Sequence, residues 1–414
     1  MEKLILIHNL ADSKKISEVT SLLEDKFQTY WVKIAEKKDI DKDIKAFLGS
    51  FGSGYIYGHG SGVSLAVSLA LKNEVNIKGI VLHETAFDTI DSNTRSQLEQ
   101  LRVPVRFVSG GKDKITQENQ ERIQKFIPKS YFFEIPSLAP SLEEISSKNF
   151  ARLLHVQLES FHYEWIKTDF GLMSYRRYGI PEQENQPLLL FLHEAIGSIA
   201  QWQDFPSHLS RELNLPGIAI EFPGYGFSEK EEKVRDENYL HEFAWDYLPS
   251  FLKALQIKNP LILVGHSDGG TNALLYSARF PENVHSIITL AAHYTNEPET
   301  RAGIQPAIDA YHAGKLKGLE HYHGEKTERL FFAWANTWNL PNFIDWDISK
   351  DIKGNAIPAL IIQGDNDQYG TDNQVFEIVK LLKNAQPKFI VNCGHAPHLE
   401  KQEEVILAIK NFLS

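Results

Sequence analysis

The sequence predicts an α/β protein in which two tandem domains each hold a mostly parallel sheet. Three observations support this prediction. Short apolar runs alternate with longer helical patterns along the chain, which is the order of βαβ units. The runs are nearly all apolar, as in strands that helices cover on both faces. Four short motifs occur twice in the same order, which indicates an internal duplication.

The composition is that of a folded globular chain and excludes several classes of function. The chain has 414 residues, of which 42% are hydrophobic and 23% charged, as is usual for globular domains. Its net charge of −11 leaves no basic surface for nucleic acid or anionic lipid. We therefore expect neither a nucleic-acid partner nor a membrane partner. The single cysteine, Cys393, excludes an intrachain disulfide and a cysteine-based zinc site.

The amino terminus predicts a first strand rather than a targeting segment. Its apolar run, Leu4–Ile7, is shorter than the core of about 7–15 residues that a signal peptide needs. No later stretch reaches the roughly 18 apolar residues of a membrane span. On these grounds we expect a cytoplasmic protein.

The predicted strands form two series. The first comprises Lys3–Ile7, Tyr55–Tyr57, Ile80–Leu82, Val103–Val108 and Tyr131–Ile135. The second comprises Leu188–Leu192, Gly217–Glu221, Leu261–Val264, Ser286–Leu290, Ala359–Gln363 and Lys388–Val391. Helical patterns lie between the strands, for example at Gly62–Leu71, Thr271–Phe280 and Gln374–Leu382.

The boundary between the domains is predicted near residue 160, so that residues 1–160 and 161–414 form one domain each. A hairpin outside the parallel core is predicted over His162–Gly179, with its turn at Asp169–Gly171. No low-complexity linker separates the two halves, and we therefore expect them to pack together.

Four motif pairs carry the predicted duplication. They are Leu4–Ser13 with Leu189–Ser198, Tyr57–Gly62 with Val264–Gly269, Val108–Asp113 with Ile362–Asp367, and Pro136–Glu143 with Cys393–Glu400. One match arises easily by chance, whereas four in the same order do not.

One motif predicts a nucleophile. Gly265–Gly269 reads Gly-His-Ser-Asp-Gly and lies between a predicted strand and a predicted helix, which is the context of a nucleophile elbow. Such a turn projects the serine hydroxyl from the sheet edge, and only small residues fit two positions to either side. Ser267 is therefore the predicted catalytic nucleophile.

A serine hydroxyl needs a base and an orienting acid, which in this chain order follow the serine. Asp365 and Asp367 both follow a predicted strand, and we prefer Asp367 because it lies farther past the strand end. His395 follows the next strand and is the predicted base. His398 is the alternative, although its position indicates a surface or helix-start residue.

Two backbone amides are predicted to form an oxyanion hole. One is the N–H of Asp268, directly after the nucleophile. The other belongs to the loop after the first central strand of this half; we choose the N–H of Ala195, with Glu194 as the near alternative. His193 is interpreted as a residue that braces this loop.

Residues 160–414 resemble the α/β-hydrolase superfamily in five segments. The matching segments are His193–Gly197, Phe222–Ser228, Gly265–Gly269, Gly364–Asp367 and Gly394–Glu400. The resemblance implies an eight-stranded, mostly parallel sheet and a Ser267–His395–Asp367 triad. Glu194 departs from the family, which usually has glycine after the loop histidine. Residues 1–160 resemble a shortened, degenerate copy of the same fold.

Residues 293–357 have no counterpart in the first half and resemble the helical cap of this superfamily. They are rich in aromatic residues, which suits a moderately apolar acyl substrate. The candidate substrate-binding residues are Glu194, His266, Trp334, Trp338 and Tyr369. His312, His321 and His323 do not have the spacing of metal ligands, so we expect no metal, and the chemistry requires no cofactor.

The first half is predicted to be catalytically silent. Gly60 stands where Ser267 stands, and Ser61 comes one position late. Leu138 replaces His395, while Asp113 remains in the place of Asp367. This half is then a structural partner, a lid, a substrate platform or a docking module, and the sequence does not distinguish these roles.

The resulting prediction is a serine hydrolase that cleaves an ester, thioester or lactone of a small molecule through an acyl-enzyme. The first alternative is hydrolysis of a carbon–carbon bond in a diketone-like substrate by the same triad. The second is a ligand-binding protein or receptor with little turnover. The sequence gives no indication of the oligomeric state.

Overall fold

The computed structural model describes residues 2–8, 12–33, 53–72, 76–83, 92–98, 100–110, 127, 130–138 and 142–414. Its contacts divide the chain into two units. The first unit comprises Met1–Phe161 and Lys317–Glu325, and the second comprises His162–Leu316 and Lys326–Ser414. Phe161 and Lys317–Glu325 group with the first unit, whereas the sequence places Phe161 in the second domain and Lys317–Glu325 in the cap.

The first unit holds a parallel sheet of six strands in the order β2-β1-β3-β4-β5-β6. The strands are β1 (Glu2–His8), β2 (Phe27–Lys33), β3 (Gly54–His59), β4 (Ile77–His83), β5 (Val105–Gly110) and β6 (Ser130–Ile135). Its helices are α1 (Ser13–Leu23), α2 (Gly62–Lys72), α3 (Ser92–Leu98) and α4 (Ser147–Glu159). Asp12 caps α1 and Ser146 caps α4 through side-chain oxygens that accept backbone N–H groups.

Strand β2 is absent from the predicted series. It reads Phe-Gln-Thr-Tyr-Trp-Val-Lys, lies at the edge of the sheet and leaves several of its side chains partly exposed. An edge strand of this kind lacks the continuous apolar run that marks a strand buried on both faces, and the pattern therefore does not reveal it.

The second unit holds an eight-stranded sheet in the order β14-β13-β12-β11-β9-β10-β8-β7. The strands are β7 (Glu164–Thr168), β8 (Gly171–Tyr178), β9 (Leu188–Leu192), β10 (Gly217–Ile220), β11 (Leu261–His266), β12 (Val284–Leu290), β13 (Ala359–Gly364) and β14 (Ala385–Ile390). Strand β8 pairs antiparallel with β7 and β10, and the other pairs are parallel. The prediction of mostly parallel α/β sheets is confirmed.

Helices follow the strands of the second unit as the alternating pattern predicts. They are α5 (Phe205–Leu213), α6 (Tyr239–Glu242), α7 (Leu248–Ala254), α8 (Asp268–Arg279), α9 (Pro298–His312), α11 (Thr327–Trp338), α12 (Pro341–Ile344), α13 (Ser349–Ile352), α14 (Asp372–Leu381), α15 (Pro397–Glu400) and α16 (Gln402–Leu413). The helix α10 (Glu320–His323) lies in the segment that belongs to the first unit. Within the described ranges, no helix combines the length and the apolar character that crossing a bilayer requires.

The two sheets share a strand order. Six neighbouring strands of the second sheet run β10-β9-β11-β12-β13-β14, and the first sheet runs β2-β1-β3-β4-β5-β6. In each set of six, the strand that comes second in the chain lies at one end. The strand that comes first lies beside it, and the third to the sixth follow in chain order. The carboxyl ends of parallel strands meet at one edge, which is where open α/β sheets carry their sites.

Candidate active site

The turn after β11 presents Ser267 in a strained backbone conformation. Its φ is 52° and its ψ is −118°, and α8 begins at the next residue. A Cβ on Gly265 would lie 2.1 Å from the carbonyl oxygen of Gly269, and a Cβ on Gly269 would lie 2.0 Å from that of Leu192. Glycine is therefore required at both positions for steric reasons, and the strain holds the serine hydroxyl at the carboxyl edge of the sheet.

The structure brings Ser267, His395 and Asp367 together. The Nε2 atom of His395 lies 3.1 Å from Oγ of Ser267, and its Nδ1 atom lies 2.9 and 3.0 Å from the two carboxylate oxygens of Asp367. Burial alone would raise the pKa of Asp367, but the hydrogen bond and charge of His395 outweigh it and lower that pKa. The arrangement is that of a nucleophile, a base and an acid that orients the base.

The two alternative residues lie elsewhere. Asp365 is exposed and accepts the backbone N–H of Cys393 at 3.3 Å, so it braces the loop after β13. His398 lies in α15 with its side chain buried and its ring 4.7 Å from that of Trp202. Of the two interpretations of His398, helix start agrees with the structure, where it is the second residue of α15, whereas surface residue is wrong because the short helix turns it inward. Burial holds its pKa far below the ordinary value.

The loop after β9 lies beside Ser267 and is braced from within. His193 donates from Nδ1 to the carbonyl oxygen of Glu194 at 2.8 Å, and the same oxygen accepts the N–H of Gly197 at 3.0 Å. Burial lowers the pKa of His193 to about 4, so the ring is neutral and acts as a brace. Ala195 lines the same cavity as Ser267 and Asp268.

The side chain of Glu194 makes a second, buried contact. Its Oε2 atom lies 3.2 Å from Nδ1 of His266, and Nε2 of His266 lies 2.8 Å from the carbonyl oxygen of His395. Burial would raise the pKa of Glu194, but the hydrogen bond and charge of His266 bring it down to about 2. Conversely, burial would lower the pKa of His266, but Glu194 raises it above the ordinary value.

A hydrogen-bonded chain joins the cap to the elbow. The hydroxyl of Tyr239 donates to Oδ2 of Asp268 at 2.5 Å, and the indole N–H of Trp338 donates to the same hydroxyl at 2.8 Å. Burial raises the pKa of Asp268 to about 6. Trp338 lies in α11 and Asp268 begins α8, so these two hydrogen bonds hold the residue that follows Ser267 in place.

A cavity of about 200 Å³ adjoins Ser267. All five candidate substrate-binding residues line it, namely Glu194, His266, Trp334, Trp338 and Tyr369, together with Ile196, His293 and Thr300. Among its described lining residues none is a lysine or an arginine. The cavity thus offers aromatic and aliphatic surface close to two acidic residues, Glu194 and Asp268, and several imidazoles.

His293 is a cavity residue that the sequence motifs do not include. This residue lies just beyond β12, where it lines the cavity with its ring centre 5.9 Å from that of His395 and 5.3 Å from that of Trp338. Burial lowers its pKa to about 3, so it faces the site as a neutral imidazole. Its signal was available, because it follows an apolar strand closely, as His193 does.

The first unit presents a similar turn without a nucleophile. Gly60 follows β3 with a φ of +53°, and its N–H donates to the carbonyl oxygen of His83 at 3.3 Å, as that of Ser267 donates to Leu290 at 2.8 Å. Leu138 lies in the loop after β6, where its carbonyl oxygen would be 2.9 Å from a Cβ on Gly110. Asp113 lies outside the described residues.

No metal site is visible in the part of the chain that the structure describes. There, no three side chains of His, Cys, Asp or Glu come close enough together to hold an ion. His321 and His323 are both buried and belong to the first unit, whereas His312 is exposed at the end of α9.

Comparison with known proteins defines the class. Residues 187–318 match the family model for the α/β-hydrolase fold. An α/β-hydrolase domain-containing protein of Arabidopsis thaliana is 25% identical over 261 residues, which cover 56% of this chain and 75% of that protein. A mouse (Mus musculus) sn-1-specific diacylglycerol lipase is 22% identical over 256 residues, which cover 55% of this chain and 81% of the lipase.

A solved structure shares the fold. A meta-cleavage product hydrolase from Pseudomonas fluorescens superposes with a TM-score of 0.50 at 19% identity, covering 60% of this chain and 97% of that one. Residues 187–318 therefore carry the α/β-hydrolase fold. Its relatives include proteins named as hydrolases and lipases, and the fold together with these relatives supports a hydrolytic enzyme.

Proposed function

We propose that the second unit is a serine hydrolase that cleaves an ester, thioester or lactone through an acyl-enzyme on Ser267. The observation that carries this proposal is the pair of contacts of His395, 3.1 Å to the serine hydroxyl and 2.9 Å to Asp367. A serine that is joined to a base and an oriented acid is an activated nucleophile.

The mechanism follows from these contacts. Neutral His395 accepts the proton of Ser267 as the hydroxyl attacks the substrate carbonyl carbon. Asp367 fixes the tautomer of His395 and stabilises the imidazolium. The N–H groups of Asp268 and Ala195 receive the negative oxygen of the tetrahedral intermediate. His395 then protonates the leaving group. In the second half of the reaction His395 accepts a proton from water as the water attacks the acyl carbon, and it returns that proton to Oγ of Ser267 as the acid product leaves.

The cavity favours a small, uncharged and moderately apolar acyl group. Trp334, Trp338 and Tyr369 supply aromatic surface, and the cavity volume of about 200 Å³ limits the size of the group that fits. Glu194 places an ionised carboxylate in the wall, and among the described lining residues there is no lysine or arginine to pair with a substrate carboxylate. The similarity to a diacylglycerol lipase supports ester chemistry.

Carbon–carbon bond hydrolysis is the second candidate, and His293 is the observation that favours it. Such a reaction needs a group that holds a second carbonyl and guides a proton to carbon, and a neutral imidazole in the cavity wall can do this. A meta-cleavage product hydrolase shares the fold. Ester cleavage needs no group beyond the triad and the oxyanion hole, and we therefore prefer it.

A burst experiment with p-nitrophenyl acetate and p-nitrophenyl butyrate tests the proposal. We expect one equivalent of p-nitrophenol in the first phase from the native chain, and none from Ser267→Ala. Ser207→Ala on α5 is the matched control and should behave like the native chain. Absence of the burst, with turnover of a β-diketone, would support the second candidate. Binding without either reaction would support a ligand-binding protein.

We also propose that the first unit is a shortened, degenerate copy of the hydrolase fold and is catalytically silent. The shared strand order and the similar turn at Gly60 support the duplication. The absence of a hydroxyl at Gly60 and of an imidazole at Leu138 supports the loss of activity. Ser267→Ala should then leave no residual esterase activity in the full chain.

A further inference from the structure

His266 lies between two groups that can only accept hydrogen bonds. Its Nδ1 atom faces Oε2 of Glu194 at 3.2 Å, and its Nε2 atom faces the carbonyl oxygen of His395 at 2.8 Å. A neutral imidazole carries one N–H and can serve only one of these acceptors. Both contacts are hydrogen bonds only if the ring is doubly protonated. His266 is 4% exposed, so its two ring nitrogens have little access to water and rely on these two partners.

The two acceptors belong to two different parts of the proposed catalytic machinery. Glu194 is in the loop after β9 that supplies the Ala195 amide, and the carbonyl of His395 is in the loop after β14 that supplies the base. We propose that His266, as an imidazolium, is a positioning residue that ties the oxyanion loop to the loop of the catalytic histidine. The proposal rests on the proposed function of Ser267, and it adds a role for the residue before the nucleophile.

The surroundings of His266 keep this charge specific to one ring. The other ionisable groups around it are His193, His293, His395, His398, Asp268 and Asp367. Burial lowers the pKa values of His193, His293 and His398, so they remain neutral. Asp367 is engaged by His395, and Asp268 accepts a hydrogen bond from Tyr239. Glu194 is therefore the carboxylate that directly balances the imidazolium.

The protonation of His266 should make kcat depend on pH. Because the pKa of His266 is raised in the fold, the imidazolium is complete at low pH and is lost as pH rises through that value. Loss of one N–H frees one of the two loops. Since misplacement of a reacting group by about 1 Å costs about 10²-fold in rate, we expect kcat to fall on the alkaline side while KM changes little.

Nitrogen-15 NMR of histidine-labelled protein tests the protonation state without reference to activity. The spectrum of the native chain at pH 7 should contain one ring with both nitrogens protonated, and His266→Gln should remove that signal. Ser267→Ala should keep it while losing turnover, which separates this proposal from the proposed function. A single-proton tautomer of His266 at pH 7 would overturn the proposal.

Kinetics supply the second readout. Glu194→Gln removes the charge that raises the pKa of His266, so the alkaline fall of kcat should move to lower pH. His266→Gln should lower kcat about 10- to 100-fold and abolish that fall. His208→Gln on α5 is the matched control, because Nδ1 of His208 also lies near a carboxylate oxygen, that of Glu403, at 3.6 Å. An alkaline limb that stays in place in Glu194→Gln would contradict the proposed link.

A different observation concerns the first unit. The segment Lys317–Glu325, called here the cap loop, joins α9 to α11 but belongs to the first unit. Helix α9 supplies Thr300 to the cavity wall, and α11 supplies Trp334 and Trp338. His321 and His323 of the cap loop are 4% and 1% exposed. The segment that connects two cavity-lining helices therefore has buried residues at His321, His323 and Gly324, while its ends are exposed.

Specific contacts hold the cap loop there. Oε2 of Glu320 accepts the backbone N–H of Ser137 at 2.7 Å, in the loop after β6. Gly324 has a φ of +60°, and a Cβ there would lie 2.5 Å from the carbonyl oxygen of Glu134 on β6. The guanidinium of Arg152 on α4 lies 5.9 Å from the ring centre of Tyr322. Strand β6 and helix α4 thus anchor the loop.

We infer that the first unit serves as an anchor for the cap of the hydrolase, acting through the cap loop. An anchored loop fixes the end of α9 and the start of α11, and with them the walls that contact the acyl group. Releasing the loop should change KM and acyl-chain selectivity, whereas the contacts of Ser267 with His395 do not involve it.

Two variants test the anchor. Glu320→Ala removes the bond to Ser137, and Gly324→Val introduces a side chain where the backbone of Glu134 leaves no room. We expect both to shift KM for p-nitrophenyl esters of increasing chain length by about 2- to 30-fold, the usual range of coupling between distant sites. Glu328→Ala, which removes an exposed carboxylate at the start of α11, is the control.

Hydrogen exchange supplies a readout that does not depend on turnover. Peptides covering α9 and α11 should exchange faster in Glu320→Ala than in the native chain, with the burst amplitude unchanged. If Gly324→Val does not fold, Glu320→Ala still decides the question. Unchanged KM values, chain-length selectivity and exchange in Glu320→Ala would overturn the inference.

Discussion

The turns after β3 and β11 have similar backbones and different chemistry. Gly60 has a φ of +53° and Ser267 a φ of 52°, and each donates its N–H to a carbonyl oxygen in the neighbouring strand. Around Ser267 the triad is complete, whereas the loop after β6 carries Leu138 at the place of His395. The comparison teaches that the same turn forms with a glycine or with a serine at its centre.

The loops after the last strands differ in what they bind. In the second unit this loop holds His395 against Ser267. In the first unit the corresponding loop offers the N–H of Ser137 to Glu320 of the cap loop. The loop after the last strand thus carries the candidate base in the second unit and contacts the cap loop in the first.

Removal of the nucleophile or the base should have the largest effect. We expect Ser267→Ala and His395→Ala each to lower kcat about 10⁴- to 10⁶-fold, because residues that act as a unit lose nearly the whole effect singly. Steady-state kinetics on p-nitrophenyl butyrate measure this, with circular dichroism to show that the fold is intact. A loss of kcat much smaller than this range would indicate that the first unit also hydrolyses the substrate.

The two candidate acids should differ sharply. Asp367→Asn should lower kcat by about 10⁴-fold, because the amide leaves His395 in the wrong tautomer. Asp365→Asn keeps an oxygen that can accept the N–H of Cys393 and should change kcat by less than about threefold, as surface substitutions usually do. The reverse ranking would show that Asp365 is the acid.

Separating the units should destabilise the second. A chain that begins at residue 161 retains the triad, the oxyanion loop and the cap loop, but not the strand β6 and helix α4 that contact the cap loop. His321 and His323 would lose their cover, and exposed apolar patches promote aggregation. We expect a lower Tm and a lower kcat/KM than in the full chain. Equality in both measurements would leave the first unit as a docking module.

The bond from Tyr239 to Asp268 should have a moderate effect. Tyr239→Phe removes that bond and the one from Trp338, and we expect kcat to fall about tenfold because hydrogen bonds to charged groups contribute about 1.5–3 kcal/mol. The hydrogen bond lowers the pKa of Asp268, so its loss should move protonation of this carboxyl above pH 6. Tyr276→Phe on α8 is the control.

Local patterns predict the parts of this molecule that local residues determine. The continuous apolar runs predict most strands, because burial on both faces selects such residues. The spacing of Ser267, Asp367 and His395 after three such strands predicts a common edge, where the structure brings them together. The hairpin β7–β8 is likewise visible in its turn residues.

Other parts depend on contacts that no local pattern records. The edge strand β2 mixes polar and apolar residues and has no continuous run. The cap loop contacts residues of and after strand β6, which lie more than 150 residues earlier in the chain. The spacing of His321 and His323 does not indicate this contact. His293 and the pair Glu194–His266 matter because several loops converge on them, which only the folded chain shows.

The smallest effect is expected for a hydroxyl placed on the silent turn. A Cβ on Gly60 would meet no atom of the described residues within 4 Å, so Gly60→Ser should fold, at a cost of about 1–2 kcal/mol for a side chain at positive φ. In a Ser267→Ala background it should give no burst, because Leu138 offers no base to accept the serine proton. Thermal unfolding and burst kinetics measure the two expectations. A burst from this double variant would show that the first unit still holds a working site, and the two turns would then differ by a single hydroxyl.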